Sequence, residues 1–185
     1  MYKNYYDLVL TEIQRALSKI SNDSIEELIA NITNPRRIFI AGRGRTGLLM
    51  KSFAIRLMQM GFEVYVVGES ITPAIKANDM LIVGSGSGET ESLVAITEKA
   101  KRLGAKVTLI TMYKESTIAS KADSVFVIPA KGSKVDKDAD SDSKQPMCNL
   151  FEQTLLILMD ILTLIIIDQK NIDIKTLYDR HANLE

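Results

Sequence analysis

The sequence predicts an α/β fold, a three-layer αβα sandwich built on a five-stranded parallel sheet of the flavodoxin or Rossmann type. Short apolar runs rich in Val and Ile alternate with segments of helical periodicity through the middle of the chain. Such runs are typical of parallel strands that helices cover on both faces. Glycine-rich turns also follow two of these runs directly, as expected where a strand of such a sheet passes into a helix.

The elements follow in order from their periodicity. Apolar positions at helical spacing predict a first helix over residues 4–20, and the capping-box spacing of Ser24 and Glu27 predicts a second over residues 24–32. The predicted strands after them are the segments RRIFIAG, FEVYVVG, DMLIVG, KVTLIT and SVFVIPA. The predicted helices between the strands cover residues 47–60, 90–102 and 116–120.

The chain beyond the last predicted strand departs from this alternation. Residues 131–145 are polar and charged and predict a long loop, and Pro146 then fits the first turn of a helix that runs to about residue 168. The second half of that helix is apolar nearly all round, which predicts burial either wholly in the core or partly in a subunit interface. We expect one domain over residues 1–185, with N-terminal helices over 1–34, an α/β core over 35–130, a loop over 131–146, and C-terminal helices and a tail over 147–185.

Composition argues against several classes of function. Lys and Arg total 23 and Asp and Glu total 23, so the chain lacks the basic surplus of nucleic-acid-binding proteins. A single cysteine, Cys148, fits a reducing cytoplasmic compartment, and no signal peptide is predicted. The longest apolar run, residues 155–167, contains Asp160 and is too short to predict a membrane span. With one His and one Cys, a zinc site is not expected.

The first glycine-rich turn, GRGRTG from Gly42 to Gly47, matches the G-x-G-x-x-G fingerprint of dinucleotide-binding proteins. Such a site also needs an acidic residue about 20 residues further on, at the end of the second strand, to hold the ribose. Glu69 is the nearest candidate, and it lies beyond that spacing. An NAD-dependent oxidoreductase is therefore one interpretation of this turn.

The second turn, GSGSGET, begins at Gly84 and interleaves three hydroxyl side chains with three glycines. Glycine lets a backbone approach a ligand closely, and the amides at the start of the following helix favour an anion. The hydroxyls add uncharged donors, and the Gly-Lys-Ser/Thr of a Walker loop is absent. The turn therefore predicts a phosphate-binding site, with a flexible connecting loop as the alternative.

The two turns, together with the segments AGRGRTGLLMKSFAIRLMQMGF, VGSGSGETESL, QPMCNLFEQTLLI and HANLE, make the chain resemble the sugar isomerase (SIS) domain. Within that family it is most similar to the 3-hexulose-6-phosphate isomerases of bacteria and archaea. The resemblance implies the SIS fold and conversion of D-arabino-hex-3-ulose 6-phosphate into D-fructose 6-phosphate through a cis-enediol. This reaction belongs to the ribulose monophosphate pathway of formaldehyde fixation or detoxification, and the resemblance implies no cofactor.

The resemblance also implies the residues of the site. Glu152 corresponds to the family's proposed base, although Asn149-x-x-Glu152 also has the spacing of a capping box. His181, the only histidine, is either a second acid/base group, acting in its own or in a neighbouring subunit's site, or a solvated surface residue. The family usually has Ser where this chain has Thr46, which keeps the hydroxyl but adds a methyl group. The substrate-binding residues implied are Gly44, Arg45, Thr46, Ser85, Gly86, Ser87, Gly88, Glu89 and Thr90.

The resemblance further implies a homo-oligomer, a tetramer above other sizes, and a functional link to a 3-hexulose-6-phosphate synthase. No nucleic-acid or membrane partner is expected. Two alternatives within the family stay open. One is another aldose–ketose isomerase, such as one acting on arabinose 5-phosphate, and the other is a non-catalytic phosphosugar-binding module.

Overall fold

Five parallel strands form a sheet in the computed structural model, which describes residues 2–130 and 143–184. In chain order they are β1 (Ile38–Gly42), β2 (Val64–Val66), β3 (Met80–Gly84), β4 (Lys106–Thr111) and β5 (Ser124–Val127). Their order across the sheet is β2-β1-β3-β4-β5, and every neighbouring pair is parallel. The predicted five-stranded parallel sheet is confirmed.

Six helices surround the sheet within the described residues. They are α1 (Lys3–Ser18), α2 (Asn22–Thr33), α3 (Gly44–Gln59), α4 (Glu91–Arg102), α5 (Asn149–Lys170) and α6 (Ile174–Asp179). Side chains that alternate along the strands divide the core in two. Ile38, Ile40 and Ile82 pack with α1, α2, α3 and α5, whereas Phe39 and Leu81 pack with α4 on the opposite face. Each strand is thus covered on both sides, which explains its unbroken apolar sequence.

Three local predictions are wrong. The second helix begins after Ser21, whose hydroxyl accepts from Ser24 N at 3.2 Å, so Ser24 and Glu27 do not form the predicted capping box. Helix α3 begins at Gly44 rather than Gly47. Residues 116–120 form turns instead of a helix, although Ser116 Oγ accepts from Ala119 N at 3.2 Å, as a helix N-cap would, and Ser120 N donates to Ser116 O at 3.0 Å.

The segment before α5 also differs from its prediction. Pro146 lies outside the helix, which begins at Asn149, because Met147 takes a left-handed conformation with φ 60° that a helix cannot contain. The predicted loop over residues 131–146 lies mostly outside the described residues.

Helix α5 is the most apolar of the described helices. By length and composition it could cross a membrane, and just over half of its most apolar window, 56%, is buried against the rest of the protein. Its packing against α1, α2 and α3 is that of a core helix. Burial is not complete, however, because Leu164 is 64% exposed and Ile157 is 36% exposed. A purely internal helix, one of the two alternatives from the sequence, therefore does not account for its whole surface.

Candidate active site

The two glycine-rich turns meet at the carboxyl ends of neighbouring strands. Gly42 at the end of β1 is the register partner of Gly84 at the end of β3. Between β1 and β3 the chain order reverses across the sheet, with β2 on one side and β4 on the other. In open α/β sheets this reversal leaves a crevice in which ligands bind. The sheet topology thus brings both sequence motifs to the position where a ligand site is expected.

Close backbone contact holds the first turn. A Cβ atom on Gly42 would lie 2.8 Å from Gly47 Cα, so neither glycine can be exchanged without moving the start of α3 away from β1. Gly44 has φ +57° and lets the chain turn directly from the strand into the helix. As a result, Arg45 and Thr46 lie in the first turn of α3, at the edge of the crevice.

The second turn arranges its hydroxyl groups as donors. Ser85 Oγ accepts from Gly88 N at 3.2 Å, and Ser87 Oγ accepts from Glu89 N at 3.2 Å. Each serine therefore keeps its own O–H to donate. Thr90 Oγ1 lies 3.4 Å from Ser85 Oγ and makes no capping bond at the start of α4, although Thr90 is the N-cap residue.

The neighbouring strand fixes this turn from behind. Gly86 O accepts from Met112 N and from Thr111 Oγ1, both at 3.0 Å, and Gly88 O accepts from Ile118 N at 3.0 Å. Gly88 has φ +67°, and a Cβ there would collide with Ser116. The carbonyl oxygens of Gly86 and Gly88 thus bond to residues 111–118. The hydroxyl groups of the turn lie at the carboxyl ends of the strands, next to the start of α4.

The side chain of Glu89 bonds to a neighbouring turn of the chain. Its Oε1 accepts from Thr117 N at 2.7 Å, and hydrogen bonds from Thr117 hold the pKa of this carboxyl below its usual value. The carboxylate therefore connects the second turn to the turns at residues 116–120. A role of Glu89 in substrate binding stays a prediction.

Glu152 lies against the first turn and is nearly buried, at 9% exposure. Its Oε2 accepts from Arg45 Nη1 at 2.7 Å, and its Oε1 is 3.5 Å from Thr46 Oγ1. Arg45 Nη1 also donates to Asn149 Oδ1 at 2.7 Å. The capping-box alternative is wrong, because Cys148 is the N-cap residue and its side chain makes no cap bond.

The start of α5 also packs beside the second turn. A Cβ on Gly86 would lie 3.3 Å from the ring of Phe151, and a Cβ on Gly84 would lie 3.3 Å from Thr46 Cγ2. The structure thus brings Glu152, Thr46, Arg45 and the second turn together around one point. Asn149 joins them, and the sequence offered it only as a possible cap.

His181 is not part of this cluster in the same chain. It follows α6 and is exposed, and its Nδ1 lies 2.9 Å from Ala182 O. The preceding Arg180 donates to Gln59 O, at the last residue of α3. Since Arg45 is in the first turn of α3, a helical rise of about 1.5 Å per residue puts roughly 20 Å between these ends. In its own chain His181 therefore lies about one helix length from this cluster, and its role as an acid/base group stays a prediction.

Neither a metal centre nor a ribose site is evident in the described part of the chain. Residues 2–130 and 143–184 contain no group of three His, Cys, Asp or Glu side chains that could hold a metal ion. Glu69, the candidate ribose ligand, pairs instead with Lys51 at 2.5 Å, beside a cleft of about 320 Å³ next to the first turn. The dinucleotide interpretation therefore gains no support from Glu69.

Comparison with known proteins identifies the relatives of this chain. Residues 31–163 match the family model of the SIS domain. The 3-hexulose-6-phosphate isomerase of Bacillus subtilis (strain 168) is 43% identical over 182 residues, which cover 98% of this chain and 97% of that protein. The 3-hexulose-6-phosphate isomerase of Mycobacterium gastri is 38% identical over 98% of this chain and 90% of that protein.

A solved structure gives the same picture. A Methanococcus jannaschii protein, whose 2.0 Å crystal structure infers a function of 3-hexulose-6-phosphate isomerase, superposes with a TM-score of 0.86 at 33% identity. The match covers 98% of this chain and 99% of that one. Similarity of this extent includes both turns, the sheet and the helix that carries the buried glutamate.

Proposed function

Because this chain belongs to the SIS-domain family and is similar over its whole length to its 3-hexulose-6-phosphate isomerases, we propose that it is an isomerase of the ribulose monophosphate pathway. It converts D-arabino-hex-3-ulose 6-phosphate into D-fructose 6-phosphate. The observation that carries this proposal beyond family membership is the position of Glu152. A nearly buried carboxylate bonds to Arg45 and lies 3.5 Å from Thr46 Oγ1, and Thr46 and Phe151 in turn pack against the second turn. This places a base beside the hydroxyl donors proposed to bind phosphate, and the isomerisation needs both.

The phosphate end of the substrate binds at the second turn in this proposal. The hydroxyls of Ser85, Ser87 and Thr90 and the amides at the start of α4 donate to the phosphate oxygens. Charge-assisted hydrogen bonds of this kind fix C6, and a fixed C6 limits where C2 and C3 can lie relative to the base. Arg45 adds a positive charge at the crevice, half exposed and within one helical turn of β1.

The chemical step moves a carbonyl group from C3 to C2. Glu152 removes the proton from C2, the electron pair forms the C2–C3 double bond, and the C3 carbonyl oxygen becomes the oxygen of a cis-enediolate. The proton then returns to C3 while the C2 oxygen becomes the new carbonyl. No atom is gained or lost, and a proton moves between the two oxygens by way of a second group or water.

The Arg45–Glu152 pair explains how the carboxylate is positioned before substrate binds. Arg45 Nη1 donates to Glu152 Oε2 and to Asn149 Oδ1, so one guanidinium holds both side chains in place. An incoming phosphorylated substrate competes for the guanidinium, and partial release of Glu152 lets it accept a proton from carbon. Thr46 Oγ1, 3.5 Å from Glu152 Oε1, keeps the carboxylate oriented during that exchange.

His181 is the proposed group for the proton transfer between oxygens, supplied by a second subunit because it lies far from Glu152 in its own chain. We propose a homotetramer in which exposed apolar side chains such as Tyr5, Tyr6, Leu48 and Leu164 form the contacts. Mixing inactive Glu152→Gln and His181→Ala subunits tests this arrangement. Recovered activity in the mixed oligomers supports a shared site, and no recovery contradicts it.

A coupled assay tests the function itself. Ribulose 5-phosphate, formaldehyde and a 3-hexulose-6-phosphate synthase supply the substrate, and formation of fructose 6-phosphate is followed. Turnover by the purified protein supports the proposal. Binding of fructose 6-phosphate without turnover indicates a phosphosugar-binding module, and faster turnover of arabinose 5-phosphate indicates the other isomerase. We place the enzyme in the cytoplasm, where the synthase would supply its substrate.

A further inference from the structure

A second buried carboxylate, Glu12, lies on α1 and away from the crevice, yet it binds the chain segment that leads into α5. Only 5% of Glu12 is exposed. We propose that Glu12 is a positioning residue for the active site: by holding residues 143–145 it fixes the first turn of α5, which carries Asn149 and Glu152. This inference rests on the proposed function and adds a residue to it.

Three donors from consecutive residues converge on the Glu12 carboxylate. Oε2 accepts from Ser143 Oγ at 2.6 Å and from Gln145 Nε2 at 3.0 Å, while Oε1 accepts from Lys144 N at 2.9 Å. Ser143 Oγ in turn accepts from Gln145 N at 3.0 Å. Ser143 and Gln145 are themselves buried. The carboxylate is thus the centre of a hydrogen-bond network that includes residues 143–145.

The charge of Glu12 is maintained inside the protein. Burial works to raise the pKa of the Glu12 carboxyl, but the bonds from Ser143, Lys144 and Gln145 together outweigh it, so the pKa lies below its usual value. An apolar side chain on this face of α1, next to Ile13 and Ala16, would pack without that cost. A buried ion that contacts one short segment is suited to fixing the position of that segment.

Residues 146–148, which connect this hydrogen-bond network to the first turn of α5, form a short and conformationally restricted segment. Pro146 has a fixed φ, and Met147 has φ 60°, a left-handed value that is unfavourable for a residue with a side chain. Asn149 N donates to Pro146 O at 3.3 Å as the chain enters α5. Because the link has little freedom, a shift of Gln145 is passed on to Asn149 and from there to the Arg45–Glu152 contact.

The test is kinetic and uses Glu12→Gln, which keeps the size of the side chain but turns one acceptor into a donor. We expect kcat to fall about 10- to 100-fold, since small misplacements of a catalytic group have effects of this size. KM should change less than about threefold, because the phosphate turn is held by β4 and not by α1. Amide hydrogen exchange over residues 149–152 should accelerate as well.

Asp79→Asn is the matched control. Asp79 is also a buried carboxylate with three donors, two from Arg37 and one from Lys76 N, but it lies at the opposite edge of the sheet. It should lose stability without a change in kcat or in exchange at residues 149–152. If Glu12→Gln behaves in the same way, the positioning role is overturned.

Two further measurements keep the outcomes distinct. Should Glu12→Gln fail to fold, Ser143→Ala is the alternative: it removes one donor to Glu12 and the acceptor of Gln145 N but keeps the carboxylate, and an unchanged kcat in that variant overturns the inference. An inactive wild-type enzyme would contradict the proposed function instead. In that case the exchange measurement still decides the role of Glu12, because it does not depend on turnover.

Discussion

Two arginine–carboxylate pairs lie at opposite ends of the parallel strands, here called the amino edge and the carboxyl edge of the sheet. They differ in the number of hydrogen bonds and in exposure. At the amino edge Arg37 binds Asp79 through Nε at 3.0 Å and Nη2 at 2.6 Å, and the side chains are 12% and 2% exposed. At the carboxyl edge Arg45 binds Glu152 through Nη1 alone, and half of the Arg45 side chain is exposed. The same two residue types thus form a closed pair at one edge and an open pair at the other.

The difference separates a structural ion pair from a functional one. Asp79 also accepts from Lys76 N at 2.6 Å, so both of its oxygens are bonded within the protein and the carboxylate is buried away from ligands. Glu152 has one firm partner and a hydroxyl at 3.5 Å, and its partner is shared with Asn149. A bidentate buried pair is costly to break, whereas a single contact to a half-exposed arginine is exchanged easily.

The largest expected effect is on turnover by Glu152→Gln. Loss of a general base removes a factor of about 10² to 10⁴ in rate, and the amide keeps the size and one acceptor of the carboxylate. We expect kcat to fall by that factor in the coupled assay while binding of fructose 6-phosphate by calorimetry is nearly unchanged. A variant that retains near-normal kcat would show that another residue is the base.

Replacing the carboxylate of the closed pair, Arg37–Asp79, should affect folding stability and leave turnover unchanged. Asp79→Asn removes the charge of a buried carboxylate that binds both Arg37 and Lys76 N, and breaking such a pair is destabilising. Urea unfolding should report a clear loss of stability, larger than that of Arg45→Gln, with kcat per folded enzyme unchanged. A change in kcat would remove the distinction between the two edges.

The open pair should give the reverse result. Arg45→Gln should cost less than about 1 kcal/mol of folding stability, as is usual for a half-exposed ion pair. Its KM for the sugar phosphate should nevertheless rise about tenfold or more, because a charged donor to the phosphate is lost. A stability loss as large as that of Asp79→Asn would place Arg45 with the structural pairs.

The phosphate turn contributes a smaller effect through each hydroxyl. Ser87→Ala should raise KM about 10-fold with little change in kcat, since one donor to a charged group is removed. Ser120→Ala, in the neighbouring turn, is the control because its hydroxyl only donates to Thr117 O. Equal effects of both variants would indicate a general disturbance of the turns and not a lost phosphate contact.

The smallest effect is the pH dependence of stability from the closed pair. Burial acts to raise the pKa of the Asp79 carboxyl, but bonds from Arg37 and Lys76 outweigh it and the pKa is lowered. Because the pKa of the Asp79 carboxyl is lower in the folded state, the carboxylate stabilises the fold at pH values above its unfolded-state pKa of about 3.9. This stabilisation is lost as the pH falls through the folded-state pKa. Asp79→Asn should therefore flatten the acid limb of thermal stability below about pH 5. An unchanged acid limb would mean that the pKa of the Asp79 carboxyl does not differ between the folded and unfolded states.

The sheet and both turns could be predicted from the sequence because their signals are local. Val- and Ile-rich runs form strands, and glycines mark the places where β1 meets α3 and β3 meets α4. The same local rules misplaced details, as at Ser21, which caps α2 three residues before the predicted cap, and at residues 116–120, where turns replace a predicted helix. They also failed at Pro146, since nothing local predicts the left-handed Met147.

The chemistry of the site could be predicted only in part. Glu152 and the turns came from motif and family resemblance, but its pairing with Arg45 depends on α5 packing against α3, over 100 residues apart in the chain. Glu12 had one local signal, an acidic residue next to the apolar stripe of α1. Its partners lie across a separation of more than 130 residues, which periodicity cannot bridge.

The central claim is that uncharged donors after β3 hold the substrate phosphate while Glu152 faces the carbon chain. A crystal structure of the Glu152→Gln variant with fructose 6-phosphate tests it most directly. The account predicts phosphate oxygens within hydrogen-bond distance of Ser85, Ser87 and Thr90, with C2 and C3 beside residue 152. A phosphate bound elsewhere, with this turn unoccupied, would contradict it.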